Sequence, residues 1–251
     1  MILCIGTTPA VQRVMVFRKL TLDTVNRAAM TLDGTAGKSV NVAKVLLTLG
    51  EQPVATGFFG GERGEWVRRQ LAARGVEMDF VTTNAPTRQC VTVIDENTGT
   101  ITELVEESRP VTAQDYDQLA AIIRRRVAGC GAVVMSGTMA AGGPPDFYSR
   151  CAQLAHEAGA LSILDAQGEA LLEALKAKPG LVKPNRVELA ATVGRELKSE
   201  SDVIAAMREL NGRGAQRIVV TAGKDPTLAF DGQSCWRIES PTIRALNPIG
   251  S

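Results

Sequence analysis

Residues 132–165 read AVVMSGTMAAGGPPDFYSRCAQLAHEAGALSILD. Two short apolar runs, Ala132–Ser136 and Leu161–Asp165, bracket a helical pattern that begins near Pro144. Phe147, Cys151, Leu154, Ala155 and Ala158 form its apolar stripe. Strand–helix–strand alternation of this kind implies a parallel sheet with helices on both faces. The rhythm extends outward in both directions. Ile2–Gly6, Pro53–Phe58, Leu181–Lys183 and Arg217–Thr221 are further strand candidates. Helices begin near Lys38, Glu62, Thr112 and Ser201, the last with Val203, Ala206, Met207 and Leu210 at helical spacing. Ligands of such sheets bind beyond the carboxyl ends of the strands.

Two stretches break the alternation. Val11–Gly34 carries no convincing helix. Arg88–Glu106 reads as two strands, Gln89–Asp95 and Thr100–Val105, joined by a loop with an Asn and a Gly, which is a hairpin signal. Together they predict one small accessory sheet, a candidate lid formed from about 11–34 and 88–106. The whole chain of 251 residues is long enough for one sizeable core. No repeat of 20–50 residues and no low-complexity linker interrupts it.

Composition removes several classes of function. The 28 basic and 27 acidic residues leave a net charge of +1, with no basic stripe or acidic tail, so nucleic acid and membrane surfaces are not expected partners. The apolar runs are too short to span a bilayer, and the first residues lack the basic region of an export signal. Five dispersed cysteines, none in a C-x-x-C pair, argue against a disulfide framework or structural zinc and for a reducing cytoplasm. His156 is the single histidine and falls off the apolar stripe of its helix, a solvated position. No nucleophile surrounds it, which sets aside Ser-His-Asp and Cys-His chemistry. Gly6-Thr7-Thr8-Pro9 follows the first strand where a dinucleotide fold needs G-x-G-x-x-G.

Four segments carry possible chemistry. Gly34-Thr35-Ala36-Gly37-Lys38-Ser39-Val40-Asn41 contains Gly-Lys-Ser, but Leu32 stands where a P-loop needs glycine. What remains is a small-residue loop feeding a helix whose free N–H groups favour an anion, with Lys38 and Asn41 in the first turn. An ordinary glycine-containing helix start is the plainer reading. In Val182-Lys183-Pro184-Asn185-Arg186-Val187-Glu188, a strand ends in lysine and Asn185 and Glu188 share one side of the next helical turn. That set suits a phosphate chain and its magnesium. It also suits a capping box, and both can hold together. In Val219-Val220-Thr221-Ala222-Gly223, a strand ends in a hydroxyl and a glycine that allow close approach of a phosphate, or simply in a turn to another strand. Asn247-Pro248-Ile249-Gly250-Ser251 closes the chain.

In this order, the segments resemble the ribokinase-like (PfkB) carbohydrate kinases, and within them the hexose-phosphate branch of 1-phosphofructokinase and tagatose-6-phosphate kinase. Thr8-Pro9-Ala10, Phe59-Gly60-Gly61, Thr87-Arg88 and Ser136-Gly137 add to the resemblance, which runs from Ile2 to Ser251. It implies a three-layer α/β/α sandwich with a mostly parallel central sheet and a small β lid. It implies ATP-dependent phosphoryl transfer to fructose 1-phosphate, fructose 6-phosphate or tagatose 6-phosphate in the cytoplasm, with Mg2+. Position 12, Gly37, Lys38, Asn41 and Ser136 would face the sugar. Arg88 would hold its phosphate, a task suited to a forked guanidinium. Lys183, Asn185, Glu188, Thr221 and Gly223 would serve ATP, with Glu188 acting on magnesium indirectly. Gly250 would open an anion hole. A homodimer through the lids is the expected assembly.

The chain departs from that pattern in three places. Gln12 stands where the resemblance leads one to expect an aspartate on sugar hydroxyls, which leaves the choice of sugar open. Ala36-Gly37-Lys38-Ser39 replaces Gly-Gly-Lys-Gly. The Gly-Asp expected after Ser251, whose aspartate would be the catalytic base, is not in the sequence given, so the 251-residue chain is expected to be inactive alone and to expose apolar sheet surface. Two other readings stay open: a catalytically silent sugar-phosphate binder, and a nucleoside or other sugar kinase of the same fold.

Overall fold

The computed structural model describes residues 1–239. Strands β1 (Ile2–Gly6), β2 (Ala10–Phe17) and β3 (Met30–Ala36) precede helix α1 (Lys38–Thr48). Next come β4 (Pro53–Gly60), α2 (Gly61–Ala73), and the short β5 (Glu77–Met78) and β6 (Val81–Thr83). A hairpin of β7 (Arg88–Asp95) and β8 (Thr100–Val105) leads into α3 (Ala113–Arg126), β9 (Ala132–Ser136), α4 (Phe147–Glu157) and β10 (Leu161–Asp165). The rest is α5 (Gly168–Leu175), β11 (Leu181–Val182), α6 (Arg186–Val193), α7 (Glu200–Gly212), β12 (Ile218–Ala222), β13 (Asp225–Phe230) and β14 (Cys235–Ile238).

The main sheet has the order β14-β13-β12-β11-β10-β9-β1-β4-β5, with β6 also paired to β4. From β12 to β5 every pairing is parallel; β13 and β14 extend it antiparallel. Alternation along β1 sends Leu3 and Ile5 into one core with the α3 and α4 side chains Leu119, Ile123, Phe147 and Tyr148. Cys4 faces the other core, with Val40 and Ala43 of α1 and Val67 and Leu71 of α2. Helices therefore cover both faces, as the sequence pattern predicts.

A second sheet, β3-β2-β7-β8, is built from 10–36 and 88–105. It packs on α1 and α2 through β2 and β3. Its β2–β7 pair is parallel and the other two pairs are antiparallel. Met30, Leu32, Leu104 and Val105 of this sheet are exposed, as are Val45 on α1, Leu49 just after it, and Trp236 and Ile238 on the edge strand β14.

Several local expectations shift. The small-residue loop read at Gly34–Ala36 is the end of β3, and only Gly37 lies between strand and helix. Helix α4 starts at Phe147 rather than Pro144, because residue 144 belongs to a turn whose Phe147 N–H bonds the Pro144 carbonyl. At 219–225 the plainer strand–turn–strand reading is realised by β12 and β13, with Gly223 at φ 64 in the turn. His156 is exposed, its Nε2 3.0 Å from Ser162 Oγ.

Candidate active site at the carboxyl ends of the strands

Parallel order brings the ends of β1, β9, β10, β11 and β12 into one row. A Cβ on Gly6 would lie 2.1 Å from Ser39 Oγ, so only glycine lets α1 start this close to β1. Gly37 holds φ 112, and a side chain there would meet the Pro9 Cα at 2.8 Å. These two constraints seat the first turn of α1 over the row.

Lys38 is the pivot. Its Nζ lies 3.1 Å from Asp165 Oδ1, at the end of β10, and 3.2 Å from Glu188 Oε1, in the first turn of α6. Lys183 Nζ reaches Asp165 Oδ2 at 3.7 Å. Burial disfavours the Lys38 ammonium, but the two carboxylates outweigh it and hold its pKa above the usual lysine value.

Glu188 is oriented by its own helix. Asn185 N donates to Glu188 Oε2 at 2.9 Å, and Glu188 N donates to Asn185 Oδ1 at 2.8 Å. This is a reciprocal capping box, and it leaves Oε1 aimed at Lys38. The capping and phosphate readings of the segment are thus compatible. Thr221 N donates to the Pro184 carbonyl at 3.3 Å, and Thr221 bridges Asn185 in parallel, which ties the third segment to the second.

Lys38, Asn41, Asp165, Lys183, Asn185, Glu188 and Thr221 line one cavity of about 850 Å3. Val42, Val45 and Leu46 of α1, with Leu49 just past its end, form its apolar wall, and Lys44 and Arg74 bring its basic side chains to four against two carboxylates. An excess of cations beside a helix start fits a polyphosphate. The donor set also fits magnesium, which takes oxygen ligands and is usually held by one or two carboxylates together with substrate phosphates. Asp165 and Glu188 are such a pair; no larger group of metal-ligating side chains occurs among the described residues.

Gln12 faces a second cavity of about 210 Å3, under the small sheet, together with Thr35, Asn41 and Lys44. Its Nε2 donates to Thr92 Oγ1 at 2.8 Å. Asn41 and Lys44 line both cavities, so the two spaces meet at α1. Ser136 sits at the end of β9 in register with Asp165, its Oγ buried with no partner among the described residues. Gly223 stands in the turn after Thr221 and lines neither cavity.

Arg88 is not brought to this space. It lines a separate pocket of about 20 Å3 with Thr8 and Arg109, where its guanidinium donates to the carbonyls of Thr8 (3.2 Å) and Glu106 (3.5 Å). Gly250 lies outside the described residues. Sequence reasoning missed Asp165, which pairs with both lysines. Its signal was a carboxylate on the last residue of a predicted parallel strand.

The sequence matches the description "pfkB family carbohydrate kinase" over residues 1–251. A tagatose-6-phosphate kinase of Staphylococcus epidermidis is 30% identical over 254 residues, covering 100% of this chain and 81% of the relative. The tetrameric inhibited form of phosphofructokinase-2 from Escherichia coli superposes with a TM-score of 0.91 at 27% identity, over 99% of this chain and 82% of that one. The same enzyme in complex with fructose-6-phosphate gives 0.90 at 27% identity, over 98% and 82%.

Proposed function

The chain belongs to the pfkB family of carbohydrate kinases, and from that premise we propose that it serves transfer of the terminal phosphoryl group of ATP to a hydroxyl of a ketohexose phosphate. Fructose 1-phosphate, fructose 6-phosphate and tagatose 6-phosphate are the candidate acceptors. The observation that carries this reading is the Lys38 bridge. One ammonium at the start of α1 touches Asp165 and Glu188 at once, so the loop that feeds α1 meets the loops that follow β10 and β11.

In this reading Lys183, Asn185, Glu188 and Thr221 receive the ATP phosphates, and Gly223 keeps the turn after β12 low enough for the nucleotide. Gln12, Gly37, Asn41 and Ser136 receive the sugar, with Lys38 between the two substrates. A lysine so placed neutralises charge as the phosphoryl group moves, a positioning and electrostatic role. Magnesium, when bound, would neutralise the transferring phosphates, with Asp165 and Glu188 to hold it. Arg88 is assigned to the acceptor phosphate, which requires its guanidinium to leave the Thr8 and Glu106 carbonyls. The four-stranded sheet acts as a lid that excludes water.

The exposed apolar residues of that sheet suit a dimer formed lid to lid, checked by light scattering of the chain before and after Leu32→Glu. All five cysteines are free, in keeping with a cytoplasmic setting, and no helix among the described residues is long and apolar enough to cross a membrane. Calorimetric titration with the three ketohexose phosphates and with adenosine tests the acceptor class. Tighter binding of adenosine than of every sugar phosphate contradicts the proposal.

A further inference from the structure

Four carbonyls of the loop that follows β9 are pinned by donors from outside it. Tyr148 Oη donates to the Gly137 carbonyl at 2.9 Å, and Tyr116 Oη donates to that of Ala140 at 2.7 Å. Thr7 Oγ1 and Thr8 Oγ1 donate to the Thr138 carbonyl at 3.1 and 3.2 Å, and Val111 N donates to that of Ala141 at 3.0 Å. Both phenols are buried, Tyr148 completely. Burial pushes the Tyr116 hydroxyl up to about 12 and raises that of Tyr148 as well, so both stay protonated and able to donate.

The Tyr148 bond differs from the others in what it reaches. Gly137 holds φ 98, where glycine has conformational alternatives, and the phenol is the one donor to its carbonyl among the described residues. A Cβ at residue 137 would meet Lys38 Cβ, Cγ and Cδ at 3.7–3.9 Å, so the Lys38 stem lies along this glycine. On its other side, Gly137 N donates to the Asp165 carbonyl at 2.9 Å. The Asp165 carboxylate is one of the two that hold Lys38 Nζ. Tyr148 shares the core of Leu3 and Ile5, whereas α1 packs on the side of Cys4, so the phenol supports this peptide from the face opposite α1.

We propose that Tyr148 is a positioning residue for the phosphoryl-transfer site: through the Gly137 peptide it fixes where the Lys38 stem lies and where Asp165 meets its ammonium. This rests on the kinase reading above and adds to it a residue that lines neither substrate cavity. Tyr116 is built alike but serves a different point. Its partner Ala140 lines the small pocket of Arg88 and not the cavity of Lys38. Loss of the Tyr116 hydroxyl therefore removes a comparable buried bond from the same loop without releasing the peptide beside Lys38.

The test compares Tyr148→Phe with Tyr116→Phe and restores a donor with 4-aminophenylalanine at position 148. Every replacement keeps the ring and its contact with Phe147. Each Phe variant leaves one loop carbonyl without its donor, so Tm should fall by a similar few degrees in both. Calorimetric titration with magnesium and a non-hydrolysable ATP analogue, well below either Tm, should show roughly 10-fold weaker binding in Tyr148→Phe. Tyr116→Phe should bind as the parent does, and the amine should recover most of the loss. Equal affinity in the two Phe variants, whether parent-like or weakened, overturns the assignment and leaves Tyr148 as a loop anchor only. A parent chain that binds no nucleotide overturns the kinase reading instead. Crystal structures of the free variants then decide the positioning by itself: Lys38 Nζ should leave Asp165 in Tyr148→Phe, and retention there of the parent 3.1 Å contact overturns it.

Discussion

Glutamine in place of Glu188 separates the two tasks of this side chain. A glutamine oxygen can keep the 2.9 Å bond from Asn185 N, since glutamine serves equally at that position of a capping box. What disappears is the charge opposite Lys38. The Glu188 side chain is 15% exposed and that of Lys38 46%, so solvent screens the pair from one side and its loss costs about 1 kcal/mol or less. Glu188→Ala removes the cap as well, for about 1 kcal/mol more. In a chain of this size that difference is a Tm lower by roughly 2–4 °C. Binding should respond differently. Removing a charged ligand of magnesium-bound nucleotide costs about 1.5–3 kcal/mol, roughly 10- to 100-fold in Kd. Titration with a non-hydrolysable ATP analogue, with and without magnesium, and calorimetric melting read both quantities. Glu188→Gln should melt near the parent yet lose most of the advantage that magnesium gives the nucleotide. Parent-like affinity for the magnesium complex in Glu188→Gln would refute the reasoning.

Gly37→Ala should lower stability by about 1–3 kcal/mol and weaken the acceptor, because residue 37 holds φ 112 with the Pro9 Cα 2.8 Å from any Cβ; melting curves and titration check it. Asp79 governs part of the acid limb. Burial pushes its carboxyl up, but Arg126 and Arg125, at 2.8 and 2.9 Å, outweigh this and hold it below its ordinary 3.8. Its contribution is therefore complete above about pH 3.8 and fades as pH falls through the lower folded value, so Asp79→Asn should destabilise the chain near neutrality and less so in acid, as urea unfolding at several pH values would measure. Alkylation at pH 8 should mark the exposed Cys235 first, since burial pushes Cys4 and Cys151 up to about 12; mass spectrometry showing early modification of Cys4 would contradict the buried first strand.

The elements most legible in the sequence were those whose local pattern and tertiary role agree. Ile2–Gly6, Ala132–Ser136 and Leu161–Asp165 are buried apolar runs bounded by turn residues, and they coincide with β1, β9 and β10. Helix α7 carried a helical stripe and its own capping box at Ser199 and Asp202. Where local signals were weak, the structure rests on tertiary pairing instead. β5 and β6 are two and three residues long and exist because β4 offers them an edge. Helix α5 has eight residues and no side-chain cap, so its start at Gly168 had no sequence marker. β13 opens with Asp225 and Pro226, which read as a turn but occur at the start of an antiparallel strand, where a proline is tolerated. In the site, Lys38, Asn41, Lys183, Asn185 and Glu188 were legible because each follows a strand or opens a helix.

A crystal structure of the chain with magnesium, a non-hydrolysable ATP analogue and tagatose 6-phosphate tests the central claim most directly. The phosphate chain should lie against Lys183, Asn185 and Glu188, the sugar beside Gln12 and Asn41, and the Lys38 ammonium between them. A nucleotide seated instead in the 250 Å3 cavity beside Arg186, Glu200 and Asp225, or a sugar bound away from the small sheet, would contradict it.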